Sequence, residues 1–235
     1  MQYAKRGRLR FASQRDFARA FERALRRAEV PMAYSAGFSP HPKISYVGAA
    51  PTGAASEAEY VEIGLTRTVD LAELRAALDA ALPDGLDIVA AVEAGPHSLA
   101  ERVQASHWRI ELPGVDPDVA RSAVAALLDR AELHVERVTK TGRKDVDVRA
   151  ALVRCGVPER ADGPQRPGRA ILDLVVRQVT PAVRPDDVLA ALRIVAGLAL
   201  DAPPIAVRLA QGPLDDAGAV GDALSADRDS LEGAP

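Results

Sequence analysis

Between positions 3 and 92 the apolar residues switch from a spacing of two to a spacing of 3.6 and back, twice, and that alternation constrains the fold more than composition does. In YAKRGRLRFA (residues 3 to 12) Leu9 and Phe11 alternate with arginines, the pattern of a half-buried strand with a basic outer face. Ser13 and Asp16 have the spacing of a capping box and open a helix near residue 14. On its wheel Phe17, Phe21, Leu25 and Ala28 share one side, and Arg15, Arg19, Arg23 and Arg26 stand about 180° away. Pro31 ends this helix, and KISYVGAA reads as a second strand. YVEIGL (60 to 65) is a third; Asp70 and Glu73 then cap a helix that places Leu71, Leu74, Leu78 and Leu82 together before Pro83 and Gly85 stop it. LDIVAAV (86 to 92) closes the set.

The resulting order, β-α-β-β-α-β, is the ferredoxin-like or split β-α-β arrangement. GPHSLAERVQA, from Gly95 to Ala105, breaks the pattern and reads as a linker, after which the order returns. The second set is strand 107 to 112, helix from Asp116 and Pro117 to about residue 131, strands 133 to 139 and 170 to 176, helix from Pro185 to about residue 196, and strand 205 to 210. Residues 140 to 169 interrupt it with KTGRKDVDVRAAL and a Pro/Gly-rich loop; GRKDVDVR alternates charge with valine, as an exposed strand does. The expectation is an α+β chain of two tandem ferredoxin-like domains, residues 1–95 and 106–212, with a disordered acidic C-terminal tail at 213–235. A length of 235 residues suits two cores of about 100 residues each.

Charge is distributed unevenly. The formal net charge is −3, yet residues 1 to 50 hold ten Lys or Arg against Asp16, Glu22 and Glu29, a local net of +7. Arg6, Arg8 and Arg10 precede the helix, Arg15, Arg19, Arg23 and Arg26 line it, and Lys43 follows it, so one continuous basic surface is available. Such a surface attracts phosphate backbones through counterion release, and guanidinium groups add fork-shaped contacts. The same pattern also serves a merely solvated helix face in an arginine-rich sequence. Lys140, Arg143, Lys144 and Arg149 extend the basic character into the second set of elements.

YSAGFSPHPKISY (34 to 46) brackets His41 between Pro40 and Pro42, which fix φ on either side, while Gly37 permits a left-handed turn. The loop holds an imidazole beside Lys43 and within reach of Tyr34 or Tyr46. Three roles fit that setting: a general acid or base, a contact that stacks on a base while Lys43 meets a phosphate, or a hydrogen-bonded turn residue. Ser56, Glu57 and Glu59 in PTGAASEAEY read as a polar turn ahead of a strand.

Several classes of function lack their residues. A single cysteine, Cys155, excludes an internal disulfide and a Cys-only metal or iron–sulfur site, and fits a cytoplasmic home. No two of His41, His97, His107 and His134 stand at i, i+4, so no metal site is expected. There is no P-loop, G-x-G-x-x-G or G-x-S-x-G, no secretory h-region, and no apolar run approaching about 20 residues.

The stretch LRFASQRDFARAFERALRRAEVPMAYSAGFSPHPKISYVGAAPTGAASEAEY resembles the radical-SAM-associated ("radical SAM-linked") domain family of unknown function, in the free-standing form found in actinobacteria. The resemblance runs from residue 3 to about 210 and is densest over residues 7 to 65. Members usually carry S-H-x-D where this chain has Ser13-Gln14-Arg15-Asp16, so an acid–base role is not carried over to position 14. The family implies association with radical SAM chemistry, but C-x-x-x-C-x-x-C is absent, so a radical step would belong to a partner and no cofactor is expected in this chain. A looser likeness, of architecture, is to the CRISPR RNA-processing endoribonucleases, which are similar in their tandem ferredoxin-like domains and a histidine near the end of the first helix.

These readings lead to an RNA-binding accessory or substrate-presenting protein linked to a radical SAM partner, binding structured RNA. The RNA-contacting residues are then Arg6, Arg8, Arg10, Arg15, Arg19, Arg23, Arg26, Lys43, Tyr34, Tyr46, Lys140, Arg143 and Arg149. The alternatives are a metal-independent endoribonuclease centred on His41 and a protein–protein adaptor for the radical SAM partner.

Overall fold

The computed structural model describes residues 1–139, 142–159 and 168–232. The fold is α+β, and the chain divides into two compact units: Met1–Val103 with Asp222–Pro235, and Gln104–Gly221.

The first unit is built from β1 (Gln2–Lys5), α1 (Gln14–Arg27), β2 (Ile44–Val47), β3 (Ala55–Ile63), α2 (Leu71–Ala81) and β4 (Leu86–Ala90). Its strands lie in the order β4-β1-β3-β2, each pairing antiparallel. Asp70 caps α2, accepting the Ala72 and Glu73 amides at 2.8 and 2.9 Å, as its spacing foretold.

Three boundaries differ from expectation. The strand expected over residues 3 to 12 stops at Lys5, because Gly7 turns left-handed at φ 53° and residues Gly7–Phe11 wind into a 3-10 turn. Helix α1 ends at Arg27, ahead of Pro31: Glu29 is left-handed at φ 50°, and the Val30 amide folds back onto the Leu25 carbonyl at 3.0 Å. The polar Ser56-Glu57-Ala58-Glu59 stretch is strand, since β1 pairs with β3 as far down as Lys5↔Ser56, and Ser56 and Glu59 are buried.

Both faces of this sheet are covered. Tyr3, Val61 and Ile88 pack with Phe17, Phe21, Leu25, Leu74 and Leu78 of α1 and α2. Tyr60, next to Val61 and therefore on the other face, packs with Val47, Ala58, Leu99, Val103, Ala223 and Leu224. Two expectations are corrected here. The linker contains a short helix, α3 (Leu99–Arg102), that docks Leu99 on the sheet, and the segment expected to be a disordered acidic tail is anchored through Ala223 and Leu224. Leu214 and Val220 form a bridge, Ala223 and Leu224 are buried, and residues Ser225–Glu232 form a helix, α7. Its Asp227, 6% exposed, pairs with Arg102 at 2.8 Å and accepts the Gly95 amide at 3.1 Å. Acidic composition hid this, because one buried ion pair and two apolar side chains suffice to hold the segment.

The second unit comprises β5 (Ala105–Pro113), α4 (Pro117–Leu128), β6 (His134–Thr139), β7 (Gly142–Asp147), α5 (Val148–Ala151), β8 (Leu152–Gly156), β9 (Arg169–Arg177), α6 (Pro185–Ala196) and β10 (Ile205–Gly212). The strand order is β10-β5-β9-β8, again antiparallel. Here the expected strand 133 to 139 is present but does not enter that sheet. It pairs with β7, from His134↔Asp147 to Thr139↔Gly142, in a separate ribbon, and β8 takes the place beside β9. The ribbon is fastened by Arg137, whose guanidinium reaches the buried Asp187 of α6 at 2.6 Å.

Leu224→Ala is expected to lower the unfolding free energy by about 2–5 kcal/mol, the cost of emptying a fully buried leucine site. Urea unfolding measures it; a change under about 0.5 kcal/mol, the value for an exposed site, would mean the segment is not packed.

Candidate nucleic-acid interface

Helix α1 carries the centre of the basic surface, and its cap fixes where the helix begins. Ser13 Oγ accepts the Asp16 amide at 3.2 Å, and the Asp16 carboxylate accepts the Ser13 amide at 3.2 Å and its hydroxyl at 2.6 Å. Those hydrogen bonds hold the exposed Asp16 carboxyl below its ordinary pKa. From there Phe17, Ala20, Phe21, Ala24 and Leu25 turn inward, and Arg15, Arg19, Arg23 and Arg26 are exposed on the opposite side. None of these four has an ion-pair partner among the described residues, nor do Arg8 and Lys43. Arg27, the remaining helix arginine, donates instead to the Ala81 carbonyl at 2.5 Å and ties α1 to the end of α2.

The arginines ahead of the helix divide. Arg6 is held by carboxylates: its Nε donates to Glu57 at 2.9 and 3.0 Å and its Nη1 to Asp87 at 2.7 Å, which raises its already high pKa. Its charge is therefore neutralised within the unit. Arg8 is exposed, and Arg10 stands with its guanidinium 4.5 Å from the ring centroid of Phe11, a cation–π distance.

The loop after α1 is a two-armed projection. The Ala33 amide donates to Gly64 O at 2.8 Å, Lys43 N to Ala33 O at 2.8 Å and Gly64 N to Lys43 O at 2.9 Å, so both arms extend the β2–β3 pairing. Tyr34 bridges Pro42, and Ser35 and His41 close the neck, with Ser35 N on His41 O at 2.8 Å and His41 N on Ser35 Oγ at 3.0 Å. Gly64 lets the strands approach closely: a Cβ there would press on Lys43, 3.0 Å from its Cβ. At the tip Gly37 has φ 122°, and Phe38 beside it is fully exposed. Tyr34 is also exposed and lines a shallow depression with Pro42, Met32, Glu22 and Arg26, joining the loop to the helix.

The structure thus brings Arg8, Arg15, Arg19, Arg23, Arg26, Tyr34, His41 and Lys43 to the surface of one unit. It does not bring Tyr46 there. That ring packs edge-on against Phe17, its hydroxyl is buried without a hydrogen-bond partner among the described residues, and desolvation pushes its pKa up to about 12. Gln14 likewise keeps its amide nitrogen buried, without a partner among the described residues, at the start of α1. In the second unit Arg143 pairs with Glu136 at 3.0 Å and Arg149 donates to Leu128 O at 3.3 Å, while Lys144 is exposed; Lys140 lies outside the described residues.

Other features were not legible in the sequence. Phe11 and Phe38 are surface groups, although an isolated phenylalanine reads as core. A cleft of about 530 Å³ in the first unit is lined by apolar Ile63, Val69 and Leu224 and by charged Glu62, Arg67 and Asp227, and its wall includes the C-terminal segment. Cys155 is buried, and desolvation raises its thiol to about 12. His107 and His134 engage Asp173 at 2.8 Å and Asp145 at 2.6 Å. Among the described residues no three His, Cys, Asp or Glu side chains could jointly hold a metal ion, and no helix is long and apolar enough to cross a membrane.

Because the Tyr46 phenol stays protonated in the fold up to about 12, against an ordinary value near 10, stability is full below pH 10 and falls as the pH rises toward 12. Tyr46→Phe removes the partnerless hydroxyl and is expected to leave stability at pH 7 equal or raised by about 1 kcal/mol. It also makes the alkaline decline of the urea midpoint shallower than in the wild type. A loss above 1 kcal/mol at pH 7 would show that the hydroxyl has a structural partner.

No curated protein is a significant match to this chain. Residues 1–185, which include α1, the two-armed loop and β4, match the model of the family described as "Uncharacterized protein conserved in bacteria (DUF2344)". The span is most of the chain, and the protein belongs to that bacterial family.

Proposed function

We propose that this chain is a non-catalytic, cytoplasmic RNA-binding protein of two ferredoxin-like domains that holds RNA for a radical SAM partner. The observation that carries the RNA reading is the row Arg15, Arg19, Arg23 and Arg26 on one exposed helix face, without ion-pair partners among the described residues. Four guanidinium groups on one helix face, offset only in part by Asp16 and Glu22, repel one another, and a polyanion relieves that repulsion while releasing its own counterions. The domain assignment is supported by the repeated order β4-β1-β3-β2 and β10-β5-β9-β8, each with two longer helices between its strands.

His41 then acts as a contact residue beside Lys43. A nuclease built on this loop would need a second acid or base near the imidazole, and Tyr46, one of the two tyrosines placed to supply it, faces the core. The radical SAM link rests on the resemblance over residues 7 to 65. With its single thiol, Cys155, buried, this chain has no ligand set for an iron–sulfur cluster, so the cluster belongs to the partner.

Filter binding to total cellular RNA is expected to show affinity that falls steeply between about 50 and 200 mM salt. Arg19→Glu with Arg23→Glu is expected to weaken it at least about tenfold, with an unchanged circular dichroism spectrum and melting temperature, since both side chains are exposed. Affinity independent of salt, or full binding by the double variant, would refute the proposal.

A further inference from the structure

The distribution of aromatic rings says which form of RNA this surface takes, granted the RNA reading above. The chain has four phenylalanines, four tyrosines and one tryptophan. Tyr3, Phe17 and Phe21 stack in the first core, Tyr46 meets Phe17 edge-on, and Tyr60 and Trp108 are buried. The three that remain are all exposed: Phe11 at 59%, Tyr34 at 56% and Phe38 fully. All three flank the arginine helix, Phe11 just before its cap and Tyr34 and Phe38 in the loop after it.

Each ring is also presented on ordered backbone. Phe11 ends the 3-10 turn, where the Ala12 amide donates to Leu9 O at 2.9 Å, and Arg10 covers one side of its ring. Tyr34 is fixed by its bridge to Pro42 and lies beside Arg26. Phe38 sits next to left-handed Gly37, above the neck closed by Ser35 and His41. A phenylalanine held in water forfeits the burial that normally stabilises a fold. Two exposed phenylalanines and a tyrosine, one before the arginine helix and two after it, with Tyr34 beside Arg26 and Phe11 beside Arg10, suit an occupant with both flat apolar faces and phosphates.

We infer that the α1 face binds single-stranded RNA, with unpaired bases stacking on Phe11, Tyr34 and Phe38 while Arg15, Arg19, Arg23 and Arg26 hold the phosphates. A duplex does not fit the same groups. In an A-form helix the bases are stacked on one another and the deep groove is closed to side chains, so recognition runs through phosphates and 2′-hydroxyls, to which a phenylalanine offers nothing. Unpaired bases present π-faces, and stacking on aromatics tolerates any sequence.

The test is fluorescence anisotropy with an end-labelled single strand of about 12 nucleotides and the blunt duplex of the same sequence, each at low and physiological salt. The wild type is expected to bind the single strand more tightly than the duplex. Phe38→Ala and Phe11→Ala are each expected to weaken single-strand binding about 5- to 150-fold, leaving its salt dependence and the duplex affinity unchanged. If the single strand and duplex bind alike, or the alanine variants and Tyr34→Ala keep full single-strand affinity while salt-dependent binding persists, this inference fails and the broader RNA reading stands. If the wild type shows no salt-dependent affinity for either RNA, the reading beneath it fails as well, and the exposed rings become a surface for a protein partner.

Discussion

The rotation of α1 about its own axis is set by its buried stripe, which begins in an aromatic stack. Phe17 stacks on Tyr3 with ring centroids 4.0 Å apart and planes 3° from parallel, and Phe21 continues the stack at 5.5 Å. Tyr3 is in turn locked by strand pairing on both sides, to Glu59 of β3 and Ile88 of β4. With Phe17 fixed inward, the 3.6-residue period leaves positions 15, 19, 23 and 26 no choice but solvent. The aromatic seam of the core thus decides where four positive charges point.

What leaves those charges without a close ion pair among the described residues, with only Asp16 and Glu22 near them, is the placement of the other carboxylates. Glu57 and Asp87 are drawn to Arg6. Asp16 caps its own helix, Asp70 caps α2, Asp79 accepts the Ile88 amide at 2.7 Å, and Glu59 accepts the Ala50 amide at 3.1 Å. Asp227 is committed to Arg102. The unit has ample acid overall, but much of it serves caps, turns and internal pairs, so the basic face follows from geometry as well as from count.

The sequence made the helix face legible because helical period is a local property, and the same holds for the caps at Ser13 and Asp70. It failed where partners are distant. Arg6 looked like surface charge because Glu57 and Asp87 are 51 and 81 residues away. Tyr46 looked like a loop contact because its neighbour Phe17 lies on another element. LHVERVT has full strand character and reads as a strand of the main sheet, whereas β8, LVRCG, which takes that place, is short and carries an arginine. Acidic composition concealed the C-terminal anchor, and no local pattern separates an exposed Phe38 from a buried Phe21.

In the proposed role, a core-fixed helix presents its arginines, and the rings before and after it, to RNA. Ultraviolet crosslinking in cells, followed by mass spectrometry of RNA-linked peptides, tests it at residue level. Crosslinks are expected on peptides spanning Arg8 to Lys43, with Phe38 or Tyr34 among the linked residues. Crosslinks confined to residues 104–221, or a chain recovered free of RNA under conditions that capture known binders, would contradict it.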